Sequence, residues 1–211
     1  MASDAFITFC LDILSAFVAL CTSYYAYKVN RLVGNSVLRA INIGFMLLGI
    51  GLAADAGTSL VSGKVLVESS DRLVILLAGY TYLTLQVVAY LIIAVGYAQA
   101  AYGGRKALAP LALAGSVAAG LRGFSLLSYF VALILLAFIV FQGVLLRSGE
   151  GHRFSAMVLL AFLLVLAAHA VLLVSVLTLG TGLFVIGTAV QFLGFLSLLV
   201  FVLRSEVVGP R

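Results

Sequence analysis

The sequence predicts an all-α polytopic membrane protein: a bundle of seven transmembrane helices with the N-terminus outside and the C-terminus cytoplasmic. Three observations predict it. The chain is 64% hydrophobic and 9% charged, which leaves too little polar surface to enclose a water-soluble core. Its apolar residues fall into seven runs of spanning or near-spanning length. Its basic residues are divided unevenly among the connections between those runs.

The runs, in order, are Ala5–Tyr27, Ala40–Leu60, Leu73–Ala98, Ala107–Leu121, Phe124–Leu146, Phe154–Leu177 and Leu183–Leu203. The first is preceded by Asp4 and no basic segment, so it is expected to stay in the protein rather than leave as a signal peptide. Its Cys10 and Cys21 are eleven residues apart on one helix, about 16 Å, too far for a disulfide. Tyr24, Tyr25 and Tyr27 beside Lys28 mark its interfacial end. In the second run Gly44, Gly49 and Gly51 would let another helix approach closely. The polar stretch from Ala56 to Asp71 reads as an external solvated connector or a small cap.

The third run carries Tyr82, Gln86, Tyr90 and Tyr97 within about 80° on a helical wheel. That stripe would either line a path or pack in the bundle, each tyrosine hydrogen-bonding a neighbouring carbonyl. The fourth is the shortest. Its fifteen residues cover about 22 Å of a hydrocarbon layer near 30 Å, with Pro110 in its first turn and Ala112, Ser116 and Gly120 at four-residue spacing. The fifth, sixth and seventh are long enough to cross unaided.

Charge settles how the fourth run is read. If it crosses, Lys28, Arg31, Arg39, Arg105, Lys106, Arg147, Arg153, Arg204 and Arg211 share one side against Lys64, Arg72 and Arg122, nine to three. If it does not, the split is six to six. The positive-inside bias therefore favours seven spans.

This gives a single domain over residues 1–211 with two candidate repeat halves, 5–98 and 124–203, joined by a linker helix over 107–121. Laying the second half over the first brings Arg39 onto Arg153 and Asp55 onto His169. A nine-residue deletion then brings Gln86 onto Gln191. The three-one-three layout resembles, in topology, the sugar-efflux SWEET family and more distantly the rhodopsin-like seven-helix proteins. The resemblance implies no functional residue here: neither Pro110 nor Pro210 begins the Pro-Gln dipeptide of the first family, and Leu183–Leu203 holds no lysine for a retinal Schiff base.

Polar side chains inside the spans are where function is expected, because a charge near the bilayer centre costs about 2.5–3.5 kcal/mol on insertion scales. Asp12, Asp55 and His169 each lie sixteen residues from a basic residue, Lys28, Arg39 and Arg153, which predicts a shared depth about 24 Å above the inner boundary. Gln86 and Gln191 come out at about 18–20 Å. These five form the candidate polar or proton-relay site, with His169 the expected cationic partner of Asp12. Tyr82, Tyr90 and Tyr97 are the candidate path lining. The structural alternatives are that Asp55 ends its helix near the outer interface and that His169 only hydrogen-bonds a neighbouring helix.

Enzyme signatures are missing. His152 and His169 are seventeen residues apart, about 25 Å along one segment, unsuited to bis-histidine haem. Zinc ligands are too few, and no Gly-Xaa-Ser-Xaa-Gly elbow occurs. No catalytic residue, cofactor or metal is expected. The net charge of +5 is spread singly among interfacial tyrosines, which fits anionic lipid rather than nucleic acid. The expected partners are the lipid bilayer of the cell membrane, a homo-oligomer or membrane-complex partner, and a small molecule whose identity the sequence leaves open. Two function classes remain: a small transporter or proton-coupled carrier, and a non-catalytic membrane subunit or sensor module.

Overall fold

The computed structural model describes residues 2–64, 69–102, 124–148, 156–178 and 180–207. They form six helices: α1 (Ala2–Val33), α2 (Ser36–Lys64), α3 (Ser69–Tyr102), α4 (Phe124–Ser148), α5 (Ala156–Thr178) and α6 (Thr181–Val207). All six are long and apolar enough to cross a membrane. The chain is therefore a multi-pass helical membrane bundle. The fourth apolar run, Ala107–Leu121, lies outside the described residues, as do His152, Arg153 and the basic residues of 105–122.

The helices overrun their apolar runs because interfacial polar residues continue the backbone ladder. α1 ends where Gly34 takes a left-handed φ of 68° and its N–H reaches back to Asn30 O at 2.8 Å. Asn35 then starts α2, its Oδ1 accepting from the Val37 N–H at 2.8 Å. At the opposite end Ser175 Oγ donates to Gly180 O at 2.8 Å, fixing the turn between α5 and α6.

The six helices close a ring in chain order, with α6 packing back on α1. Large apolar side chains such as Phe17, Ile50, Leu160 and Ile186 point outward and are half or more exposed, a surface suited to hydrocarbon rather than water. The interior stripe of α1, by contrast, is small and polar: Ser15, Ala19, Thr22 and Ala26 are all buried. Close approach is set by glycine. A Cβ on Gly44 would fall 2.6 Å from Ile93 Cγ1 of α3, and one on Gly194 would fall 2.6 Å from Val165 Cγ2 of α5.

Contacts between helices give their directions. Ser23 meets Asn42 at 2.9 Å and Gly49 abuts Leu20 and the Ala16 carbonyl, so α1 and α2 are antiparallel. Gly44 abuts Ile93 while Gly51 abuts Tyr82, so α3 reverses again. Gly187 abuts Leu172 and Gly194 abuts Val165, making α5 and α6 antiparallel. α4 runs parallel to α3: near its start Tyr129 lies by His169, which bonds Gln86, and near its end Gln142 Nε2 donates to Tyr102 Oη at 3.2 Å. Lys28, Arg31, Arg39, Arg147 and Arg204 accordingly gather at one end of the bundle, here called the inner end.

Candidate functional site

Buried polar residues come from α1, α3, α4, α5 and α6, and α2 adds Asn42 and Asp55, each half-buried. His169 on α5 is wholly buried. Its Nδ1 lies 2.8 Å from Val165 O, one turn back on the same helix. A carbonyl oxygen only accepts, so Nδ1 carries the hydrogen and the neutral ring leaves Nε2 bare. Two donors meet that lone pair: Gln86 Nε2 at 2.6 Å and Tyr90 Oη at 3.3 Å. The amide nitrogen of Gln86 also donates to Tyr82 Oη at 3.3 Å. Aromatic rings enclose the imidazole, with Tyr90 edge-on at 5.2 Å between centroids and Tyr129 tilted at 6.3 Å.

Gln191 belongs to the same level. Phe195, one turn inward on α6, stacks edge-to-face on Phe45 of α2 at 5.3 Å. These helices are not ring neighbours, so the pair crosses the bundle and Gln191, sharing the face of Phe195, points inward above it. Ser15 of α1 lies on its helix's buried stripe, about one turn inward of Asp12. Three buried atoms here have no hydrogen-bond partner: Gln86 Oε1 and Gln191 Nε2 at this level and Ser15 Oγ about one turn outward of it. Asn30 Oδ1 and Gln142 Oε1, nearer the inner end, are unpartnered as well. Beneath the layer, Phe45–Phe195 and the edge-to-face Tyr97–Phe162 pair at 5.6 Å form an aromatic floor toward the inner end.

The carboxyl groups sit above it. Asp55 is six residues beyond Gly49, and Asp12 lies a similar distance back along α1 from the Ala16–Leu20 segment that Gly49 meets, so the two face each other and are within electrostatic reach. Tyr82 and Tyr129 are in electrostatic reach of both. Asp12 is buried and Asp55 half-buried.

Of the predicted residues, Gln86, His169, Tyr82 and Tyr90 are in direct contact, and Gln191 joins them by level. The structure corrects the expected depths. By the helix registers His169 is level with Gln86, and the carboxyls lie about 9 Å further out. The direct contact with Gln86 sets the level of His169, below the height counted from Arg153, which lies outside the described residues. The expected ion pair of His169 with Asp12 is not formed: both ring nitrogens are engaged by Val165, Gln86 and Tyr90. By the same registers Asp55 and His169 do not occupy matching depths. The Ala- and Leu-rich matches that paired them carry little register information. Tyr97 packs on Phe162 below the layer.

Ser15 and Tyr129 were missed. Serine is common in membrane helices, and nothing marked Ser15 as lacking the usual bond to the carbonyl one turn back. Tyr129, beside Ser128 in an otherwise apolar helix, was the available signal for α4. Among the described residues no group of three or more His, Cys, Asp or Glu is placed to hold a metal ion, and Cys10 and Cys21 are free thiols. Comparison with known proteins gives no match to a family model, a curated protein or a solved structure.

Proposed function

We propose that the protein is a small proton-coupled carrier of the cell membrane, without catalytic activity, that moves a polar solute through the centre of its bundle. The observation that carries this reading is the convergence of buried polar groups from α3, α4, α5 and α6 on one level, with Ser15 of α1 about one turn outward and three atoms among them lacking a hydrogen-bond partner within the protein. Burying an unsatisfied polar atom costs about 1–3 kcal/mol. A subunit needing only a stable bundle gains nothing from three such atoms within about a turn of one level, whereas a carrier requires groups left available to its cargo.

His169 supplies the coupling. When Nε2 takes a proton it turns from acceptor to donor and faces the Gln86 NH2, also a donor. The amide must then rotate and present Oε1. Tyr82 and Tyr129, within electrostatic reach of Asp12 and Asp55, would carry protons inward from the outer end.

The carrier reading includes seven crossings with a cytoplasmic C-terminus. Tyr102 ends α3 at the inner end, while Phe124 begins a helix parallel to α3, hence at the outer end. The twenty-one residues between them would span about 31 Å as a helix, close to the hydrocarbon thickness. The directions of α1–α3 and α4–α6 are then alike, as two parallel repeats about an axis normal to the membrane require. Gln86 and Gln191, on opposed helices, fit that arrangement.

The test is proton movement in proteoliposomes loaded with a pH-sensitive dye and offered pools of small polar solutes. Proton movement that depends on a solute is the expected result. Its absence with every pool, for correctly inserted protein, would overturn the carrier reading.

A further inference from the structure

The three unpartnered atoms have a definite chemistry. Gln86 Oε1 can only accept, Gln191 Nε2 can only donate, and Ser15 Oγ can do both. A ligand ammonium offers donors alone and leaves Gln191 unsatisfied. A ligand carboxylate offers acceptors alone and leaves Gln86 unsatisfied. With the amides oriented as they stand, a hydroxyl or an amide, each able both to donate and to accept, completes the set without carrying a charge into a layer that holds none. The layer itself holds no formal charge, being made of Gln86, Gln191, Tyr90, Tyr129 and a neutral His169, with Ser15 about one turn outward and Asp12 and Asp55 further out.

We infer that Ser15, Gln86 and Gln191 form the solute site, that it takes an uncharged solute bearing hydroxyl or amide groups, and that solute and proton exchange in opposite directions. The inference rests on the carrier reading above and adds to it the substrate class and the sign of the coupling.

The sign follows from one oxygen having two uses. In the neutral state Gln86 turns its nitrogen to His169 Nε2, leaving Oε1 for the solute. A proton on Nε2 must be met by an acceptor, and rotation of the amide carries Oε1 to the ring and away from the solute. Tyr90 Oη can also turn to accept, but Tyr90 cannot relieve the opposed Gln86 NH2. The groups facing His169 are Tyr82, Gln86 and Tyr90 from α3 and Tyr129 from α4; Asp12 on α1 and Asp55 on α2 lie outward, and Gln191 on α6 completes the level. None of them offers a second acceptor so placed that protonated ring and solute are served together. Each binds best when the other has left.

Two measurements test this. First, Gln191→Leu and Ser15→Ala replace an unpartnered buried polar group by an apolar one. Both should hold or raise the melting temperature, Gln191→Leu by about 2–4 °C, while raising the half-saturating solute concentration about tenfold. A lowered melting temperature for both would mean these atoms have partners within the protein and would overturn the site. Second, proteoliposomes are offered an uncharged pool (xylitol, sorbitol, glucose, N-acetylglucosamine), an anionic pool (gluconate, succinate) and a cationic pool (putrescine, choline). Uptake from the uncharged pool, driven by an acidic interior and accompanied by proton exit, is expected. Uptake from a charged pool only, or protons entering with the solute, would overturn this inference and leave the carrier reading standing. Uptake from no pool would remove both.

Discussion

Replacing His169 by Phe keeps an aromatic ring of similar size while deleting every hydrogen bond the imidazole makes. Two of those bonds cross from α5 to α3, to Gln86 and Tyr90. Interhelical hydrogen bonds in membrane bundles average about 0.6 kcal/mol and reach about 1.7, so the bonds alone account for about 1–3 kcal/mol. Orphaning the Gln86 amide adds a desolvation cost, reduced because Tyr82 still accepts from it. The single change should therefore cost about 2–4 kcal/mol. Gln86→Leu alone should cost about 1 kcal/mol, since Tyr90 continues to donate to His169. With both replaced, an apolar ring meets an apolar chain and no donor is stranded, so the double variant should be more stable than the sum of the singles by about 1–2 kcal/mol. The assay is equilibrium unfolding in mixed micelles over a denaturing-detergent series for the four proteins of the cycle. Additivity within about 0.5 kcal/mol would show that the two side chains do not depend on each other, and the tautomer argument would fall with it.

Three further outcomes are expected. Nitrogen-15 spectra of histidine-labelled protein at neutral pH should show His169 with hydrogen on Nδ1 and a bare Nε2; the opposite tautomer would contradict the bond to Val165 O. Gly44→Ala places a methyl 2.6 Å from Ile93 Cγ1 and 3.0 Å from the Ala89 carbonyl, and should cost about 1–3 kcal/mol, whereas Gly57→Ala, with nothing within 4 Å, should change stability by less than about 0.5 kcal/mol. In protein with both native cysteines replaced, Arg105→Cys and Arg122→Cys should react with an impermeant maleimide from opposite sides of the membrane; labelling of both from one side would exclude a crossing between them.

Hydropathy and charge made the membrane class and the helix order readable, because a bilayer imposes length and sidedness on any chain that crosses it. The polar residues were readable as a set, since each is costly in an apolar run. Their pairing was not. Which neighbour His169 meets depends on helix rotation and on where each helix starts. Both are set here by close-packed seams at Gly44, Gly49, Gly187 and Gly194. A count from Arg153 placed His169 beside the carboxyls, whereas its contact with Gln86 sets it further in. Ser15 stayed hidden for a different reason: its role lies in a hydrogen bond it does not make, and no residue pattern records that.

Solute-dependent proton movement in proteoliposomes of native protein and of His169→Phe, matched for inserted, folded protein, decides whether His169 couples solute to proton. Proton movement that follows the solute is expected for the native chain, with its loss in His169→Phe while the variant remains inserted. Retained solute-dependent movement in His169→Phe, with only its thermal stability lowered, would make His169 a structural residue and rule out its part in the coupling.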